Sequence, residues 1–180
     1  MQNRLLNQLP IIGVMGSGTD PHTDYSTPLG QWLARERVHL LTGGGQGVME
    51  AVSKAYCSVP ERHGLVIGVI PGSEDYQRAK GSGYPNRWVE IPIYTHLPLT
   101  GSQGTEPMSR NHINVLTSDV IIALPGSAGT ASEAALALLY RRPIIAFISN
   151  RDKIPGLPDG IPVESDLERV KEFIRSHRQE

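Results

Sequence analysis

Twice in this chain an apolar run ends in a glycine-rich turn that opens a helix. The first is Val38-His39-Leu40-Leu41, followed by Thr42-Gly43-Gly44-Gly45-Gln46-Gly47-Val48-Met49-Glu50. The second is Val120-Ile121-Ile122-Ala123-Leu124, followed by Pro125-Gly126-Ser127-Ala128-Gly129-Thr130-Ala131-Ser132-Glu133. Glycine lets the backbone approach a ligand closely, and a helix start offers unpaired N–H groups at the positive end of its dipole. Phosphate suits such a corner. Two corners on one parallel sheet open at the same edge, where ligands of such sheets bind.

The remainder of the chain alternates in the same way. Residues 11–16 read as a buried strand, and Gly16-Ser17-Gly18 begins the loop behind it. A helix starting at Asp24 or Ser26 would bury Leu29, Trp32 and Leu33. Residues 48–59 read as a helix with Val48, Met49, Val52, Ala55 and Tyr56 on one side, stopped by Pro60. Strands are expected at 65–70, 120–124 and 143–148. An edge strand is expected at 88–93, because Pro92 suits a central one poorly. Residues 74–87 read as a polar surface excursion, and 95–107 as a loop. Helices are expected over 108–117, with Ile113 and Leu116 turned inward, and over 130–140. Residues 151–162 form a proline- and glycine-rich loop. Ser165-Asp166-Leu167-Glu168 then caps a last helix with Leu167, Val170 and Ile174 as its stripe.

Strands alternating with helices predict an α/β protein, a Rossmann-like three-layer sandwich with a mainly parallel sheet. No internal boundary is visible, so residues 1–180 read as a single domain. A formal net charge of -1 with 19% charged residues argues against an electrostatic nucleic-acid binder. The single Cys57 excludes an intramolecular disulfide and a cysteine-rich metal site. Residues 1–9 lack a signal-peptide core, and no apolar run approaches the ~20 residues of a membrane helix. The expected setting is the cytoplasm, away from membranes.

Neither glycine turn ends in the Gly-Lys-Ser/Thr of a P-loop, and neither keeps the dinucleotide G-x-G-x-x-G. The candidate ligand contacts are therefore Gly16 and Ser17, then Gly43, Gly44, Gly45 and Gly47, then Gly126, Ser127, Ala128, Gly129 and Thr130. Arg110 precedes the strand that feeds the second turn. Its guanidinium either grips an oxyanion through paired hydrogen bonds or stands exposed at a helix start. Glu133 either serves the start of its helix or, beside a phosphate, acts as a general base or holds a sugar hydroxyl. Asp75 and Glu74 read as a solvated loop rather than a cleft wall, and Trp32 and Trp88 as core or interface residues. His22, His96 and His112 lack metal-ligand spacing, and no metal site is expected. Ala134 to Leu139 are consecutively apolar, so their helix needs cover on more than one side, which predicts a homo-oligomer.

Together these residues resemble the Lonely Guy-like Rossmann superfamily. Its pattern joins a triple-glycine turn ending in G-x-M to a P-G-G-x-G-T-x-x-E turn, with an arginine upstream. Gly43, Gly44, Gly45, Gly47 and Met49 answer to the first turn. Pro125, Gly126, Gly129, Thr130 and Glu133 answer to the second, where Ser127 replaces a glycine, and Arg110 has the spacing of the family arginine. The family's M-H-x-R-K run is not kept: the local sequence is Pro107-Met108-Ser109-Arg110-Asn111, with Asn111 in the lysine place.

The stretch from Ser109 to Leu116, the opening from Pro10 to Gly16 and the run from Gly129 to Leu138 are more similar to the molybdenum cofactor carrier branch. That resemblance implies a protein that binds, stores and protects molybdenum cofactor, a phosphorylated molybdopterin-type ligand. It implies a dimer or tetramer, a molybdoenzyme as recipient, and Arg110, Asn111 and Glu133 among the ligand contacts. The pterin dithiolene already holds the metal, so no protein ligand is implied and Cys57 has no part. The rival, implied by the wider family, is a phosphoribohydrolase that cleaves a nucleoside 5′-monophosphate to base and ribose 5-phosphate. Arg110 and Glu133 would then be catalytic. A nucleotide sensor without turnover is a third reading.

Overall fold

The computed structural model describes residues 8–73, 75 and 83–178. Among the described residues seven strands form one sheet: β1 Ile11–Met15, β2 His39–Thr42, β3 Val66–Ile70, β4 Ile91–Tyr94, β5 Val120–Ala123, β6 Ile144–Phe147 and β7 Val163–Glu164. Their order is β4-β3-β2-β1-β5-β6-β7, and every neighbouring pair is parallel. Five α-helices connect them: α1 Thr23–Arg35, α2 Val48–Cys57, α3 Asn111–Thr117, α4 Ala128–Leu139 and α5 Leu167–His177.

Strand alternation deals side chains to two cores. Ile12, Val14, Leu40, Val66, Val120, Ile122, Ile145 and Phe147 face α1, α2 and α5. Met15, Leu41, Ile67, Ile121, Ala123, Ile144 and Ala146 face the layer of α3 and α4. The three-layer Rossmann-like sandwich is thus a direct reading of buried strands covered on both faces. The chain winds outward from β1 in one direction through β2, β3 and β4, and in the other through β5, β6 and β7. The order reverses between β1 and β5, the position where such sheets leave a crevice at their carboxyl edge.

Several local expectations need correction. Helix α3 begins at Asn111 rather than 108, and Leu116, expected inward, is 45% exposed at its end. Helix α4 begins at Ala128, two residues early, so Glu133 stands in its second turn and does not serve its start. Helix α1 begins at Thr23, one residue before Asp24: the Pro21 carbonyl accepts from Ser26 Oγ at 2.7 Å, and the Asp20 side chain accepts from the His22 N–H at 3.0 Å. The short β7 follows the 151–162 loop and carries no sequence signal of its own. Strand β4 does lie at the sheet edge, with all four of its residues exposed. Glu74 and residues 76–82 of the expected excursion lie outside the described residues. The stripe of α2 is buried as read, down to Val52 and Tyr56, and in α5 Val170 and Ile174 are buried while Leu167 is half-buried. Asp166 caps α5 by accepting from the Glu168 N–H at 2.9 Å.

Candidate functional site

All strands being parallel, the turns after β1, β2 and β5 meet at one edge. The Ser17 N–H donates to the Pro125 carbonyl at 3.0 Å, tying the β1 loop to the β5 loop across the crevice. The Ser17 carbonyl accepts from the Val48 N–H at 2.9 Å, tying the same loop to α2. Here lies a cavity of about 190 Å³. Its floor is Val14, Met15 and Gly16; Gly18, Gly43, Met49 and Tyr84 form one wall. Thr100, Gly101, Arg110 and Asn111 form another, and Ser127, Gly129, Thr130 and Glu133 approach from α4. A larger groove of about 620 Å³ runs between α1 and α2, but no buried atom lacking a partner belongs to its lining residues.

Arg110 dominates the cavity. It is 5% exposed, and neither its Nε nor its Nη1 finds a hydrogen-bond partner among the described residues. Ser109 fixes the backbone here by pairing with Leu99 and by accepting from the Asn111 N–H at 3.2 Å. Burying a charged donor without a partner is expensive, so these atoms are set for an acceptor that enters the cavity. Thr130 Oγ1, also buried, is a second unpartnered group. Helix α4 adds its first N–H groups, and its Ser127 cap position makes no side-chain bond to them. The Gly126 N–H is not available, since it donates to the Lys153 carbonyl at 3.0 Å.

Glu133 is buried and accepts from Asn114 Nδ2 at 2.8 Å. Burial pushes its carboxyl above the ordinary range, against the pull of the Arg110 charge and the Asn114 hydrogen bond. The cavity therefore joins a cationic donor, neutral donors and a carboxyl that resists ionisation.

The triple glycine works differently from a bare anion cradle. Gly43 alone of this turn's glycines lines the cavity, and a β-carbon there would collide with the Arg110 guanidinium. The Gly44 N–H donates to Thr42 Oγ1 at 3.0 Å. A β-carbon on Gly45 would lie 2.7 Å from the Tyr84 ring. Gly47 has φ 62° and packs on the Ser17 carbonyl. In the second turn a β-carbon on Gly126 would strike Thr130 Oγ1. Several of these glycines thus make room for side chains that reach the cavity or stand at its rim. Ala128, one of the expected contacts, is exposed and outside the cavity lining.

Sequence reasoning passed over Asn114, Tyr84, Thr100 and Gly101. Asn114 follows Arg110 by four residues, the helical spacing that places both on one face, and that signal was available. The other three come from loops whose approach depends on the tertiary fold. Among the described residues no three His, Cys, Asp or Glu side chains gather as metal ligands, and no helix is long and apolar enough to cross a membrane.

Fold and cavity together define a Rossmann-like α/β protein whose pocket at the topological switch point holds a buried arginine with unpartnered donors. Residues 9–166 match the SLOG cluster4 family, and the chain belongs to it. An uncharacterized protein of Archaeoglobus fulgidus is 33% identical over 129 residues, 71% of this chain and 72% of that one. The molybdenum cofactor binding protein of the phototrophic bacterium Rippkaea orientalis is 34% identical, covering 94% of this chain and 97% of its own, with a TM-score of 0.70. The molybdenum cofactor carrier protein of Chlamydomonas reinhardtii is 30% identical, with coverage of 93% and 99% and a TM-score of 0.66. The resemblance drawn from the glycine turns and the Arg110 segment is thus met by these neighbours.

Proposed function

We propose that this protein binds and carries molybdenum cofactor, holding its phosphate at Arg110 and the start of α4. The observation that carries the reading is the pair of unpartnered Arg110 donors, buried in a crevice that also receives Thr130 Oγ1 and the open end of α4. A phosphate would bring acceptors to the guanidinium, through charge-assisted bonds, and to the helix-start N–H groups. The cofactor's own dithiolene would keep the metal, so Arg110, Asn111, Ser127, Gly129, Thr130 and Glu133 need only hold the organic frame. The likeness to cofactor-binding and carrier proteins supports this choice of guest. Delivery to a molybdoenzyme in the cytoplasm completes the reading. Self-association as a dimer or tetramer belongs to it too, supported by Leu138 and Leu139 of α4, which stand 41% and 68% exposed.

Glu133 favours a second reading. A buried carboxyl near Arg110 is also what a phosphoribohydrolase would use on a nucleoside 5′-monophosphate. One experiment separates the two. The purified protein is incubated with molybdenum cofactor and, separately, with nucleoside monophosphates, and both pterin retention and ribose 5-phosphate release are measured. Retention of cofactor without sugar release is expected; release without retention replaces the carrier by the hydrolase.

A further inference from the structure

Tyr84 lies outside every motif discussed above, yet its ring forms part of the cavity wall. Its place is built by other residues. Asn86, 6% exposed, donates its backbone N–H to the Gly44 carbonyl at 2.7 Å and its Nδ2 to the Gly45 carbonyl at 2.8 Å. Its Oδ1 accepts from the Trp88 N–H at 3.0 Å. Asn86 thereby clamps the chain from Tyr84 to Trp88 onto the triple-glycine turn. Gly45 lacks the β-carbon that would strike ring atoms Cε1 and Cζ of Tyr84. The same β-carbon would lie 2.9 Å from Met49 Cε, so ring and thioether meet over this glycine. The Arg110 guanidinium carbon lies 6.0 Å from the ring centroid.

The clamp itself is made by Asn86 and backbone, so the loop does not need an aromatic side chain to hold its position. Tyr84 is also only half-buried, whereas the residues that close the cores are fully so. An aromatic ring with a methionine beside it and a guanidinium over it at cation–π distance is a surface that a flat π-system carrying an anion can share with the cation. Stacking on such a face accepts different heterocycles, because each presents a π-face.

We propose that Tyr84 is the residue against which the ring of a phosphorylated heteroaromatic ligand lies flat, its oxyanion turned to Arg110. This rests on the phosphate-binding reading above and deepens it, by assigning the ring-reading part of the pocket to the loop after β3 rather than to either glycine turn.

Wild type and the variants Tyr84→Phe, Tyr84→Leu and Tyr84→Ala are titrated calorimetrically with neopterin monophosphate, AMP and ribose 5-phosphate. Y84L and Y84A are expected to bind the ring-bearing phosphates roughly tenfold more weakly than wild type. Ribose 5-phosphate, which has no aromatic ring, is expected to keep its affinity in both, and Y84F is expected to behave as wild type. Y84F preserves the loop packing and Y84L most of the volume, so misfolding of Y84A alone leaves the test standing. Equal weakening of all probes means that Tyr84 merely props Arg110, and overturns the proposal; so does no weakening at all. If wild type binds AMP but not neopterin monophosphate, the carrier reading falls while the AMP arm still decides the role of Tyr84. If wild type binds neither, both fall.

Discussion

The guanidinium of Arg110 fills the volume that a side chain at Gly43 would need. One residue comes from the turn after β2, the other from the start of α3, and the cavity depends on their fit. Gly43→Ala is therefore expected to push Arg110 off its position. It should weaken phosphate binding nearly as much as Arg110→Ala does, with an overpacking cost of about 1–3 kcal/mol. Calorimetric titration of both variants with inorganic phosphate, alongside thermal melts, checks this. Undiminished binding by G43A would detach the triple glycine from the arginine.

Arg110→Ala and Glu133→Gln should separate cleanly. Removing paired charge-assisted donors costs on the order of 1.5–3 kcal/mol of binding. R110A should accordingly lose roughly tenfold or more in affinity for molybdenum cofactor. E133Q keeps an acceptor for Asn114 and cannot ionise beside the phosphate, so its affinity should hold or rise. Co-purification of pterin fluorescence with each variant gives the ranking, and the reverse order would contradict the assignment of Arg110.

Glu133 also predicts a pH dependence. Burial raises its carboxyl above the ordinary value, so the folded state holds this proton more tightly than the unfolded state. Stability contributed by the protonated form is then present at low pH and lost as pH rises through the window between the two values. Relative to E133Q, wild type should lose stability as pH rises above the ordinary carboxylate value. Urea midpoints of both proteins across that range measure the difference; a constant gap would mean that the carboxyl titrates as if in water.

Glu36 titrates with the opposite sign. Burial pushes its carboxyl up, but hydrogen bonds from Arg175 and Arg178, both 2.8 Å, bring the net value below ordinary. The stability it lends by joining the end of α1 to α5 is present above its unfolded value and lost as pH falls through the folded one. Glu36→Gln should lower the melting temperature at neutral pH and matter little in acid. Melting curves at the two pH values decide.

Leu138 and Leu139 should lie in a contact between copies. Leu139→Glu is expected to shift the protein to a smaller species in light scattering, with the circular dichroism spectrum unchanged. A wild type that is already monomeric would remove this surface from consideration.

The sheet and its glycine turns were legible in the sequence because both are local. Apolar runs of four or five residues and the glycines behind them need no tertiary information. The stripe of α2 was legible for the same reason. Strand β7 was not, since two residues carry no period. Leu116 was misplaced because a seven-residue helix gives its last turn little to pack on. Within the site, Arg110 and Glu133 could be named, but their burial could not. The partnership of Gly43 with Arg110 and of Gly45 with Tyr84 is a contact across the sequence, which a reading of each motif by itself resolves into separate anion loops. Asn86 was passed over because its work, hydrogen bonds to chain neighbours and to a distant turn, leaves no pattern in the local sequence.

The unpartnered donors of Arg110 set cargo and durability against each other at one position. A buried cation whose donors lack hydrogen-bond partners weakens the fold that houses it, and an apolar replacement of similar length commonly strengthens such a site. A chain with Arg110→Met would be expected to outlast its parent on heating while holding nothing. A protein recruited to other work, or a lineage that no longer meets its guest, would gain from that exchange. Persistence of the arginine in a descendant therefore reports continued use of the pocket more directly than persistence of Gly44 and Gly47, whose positive φ and close packing on Ile70 and the Ser17 carbonyl would retain them in either case.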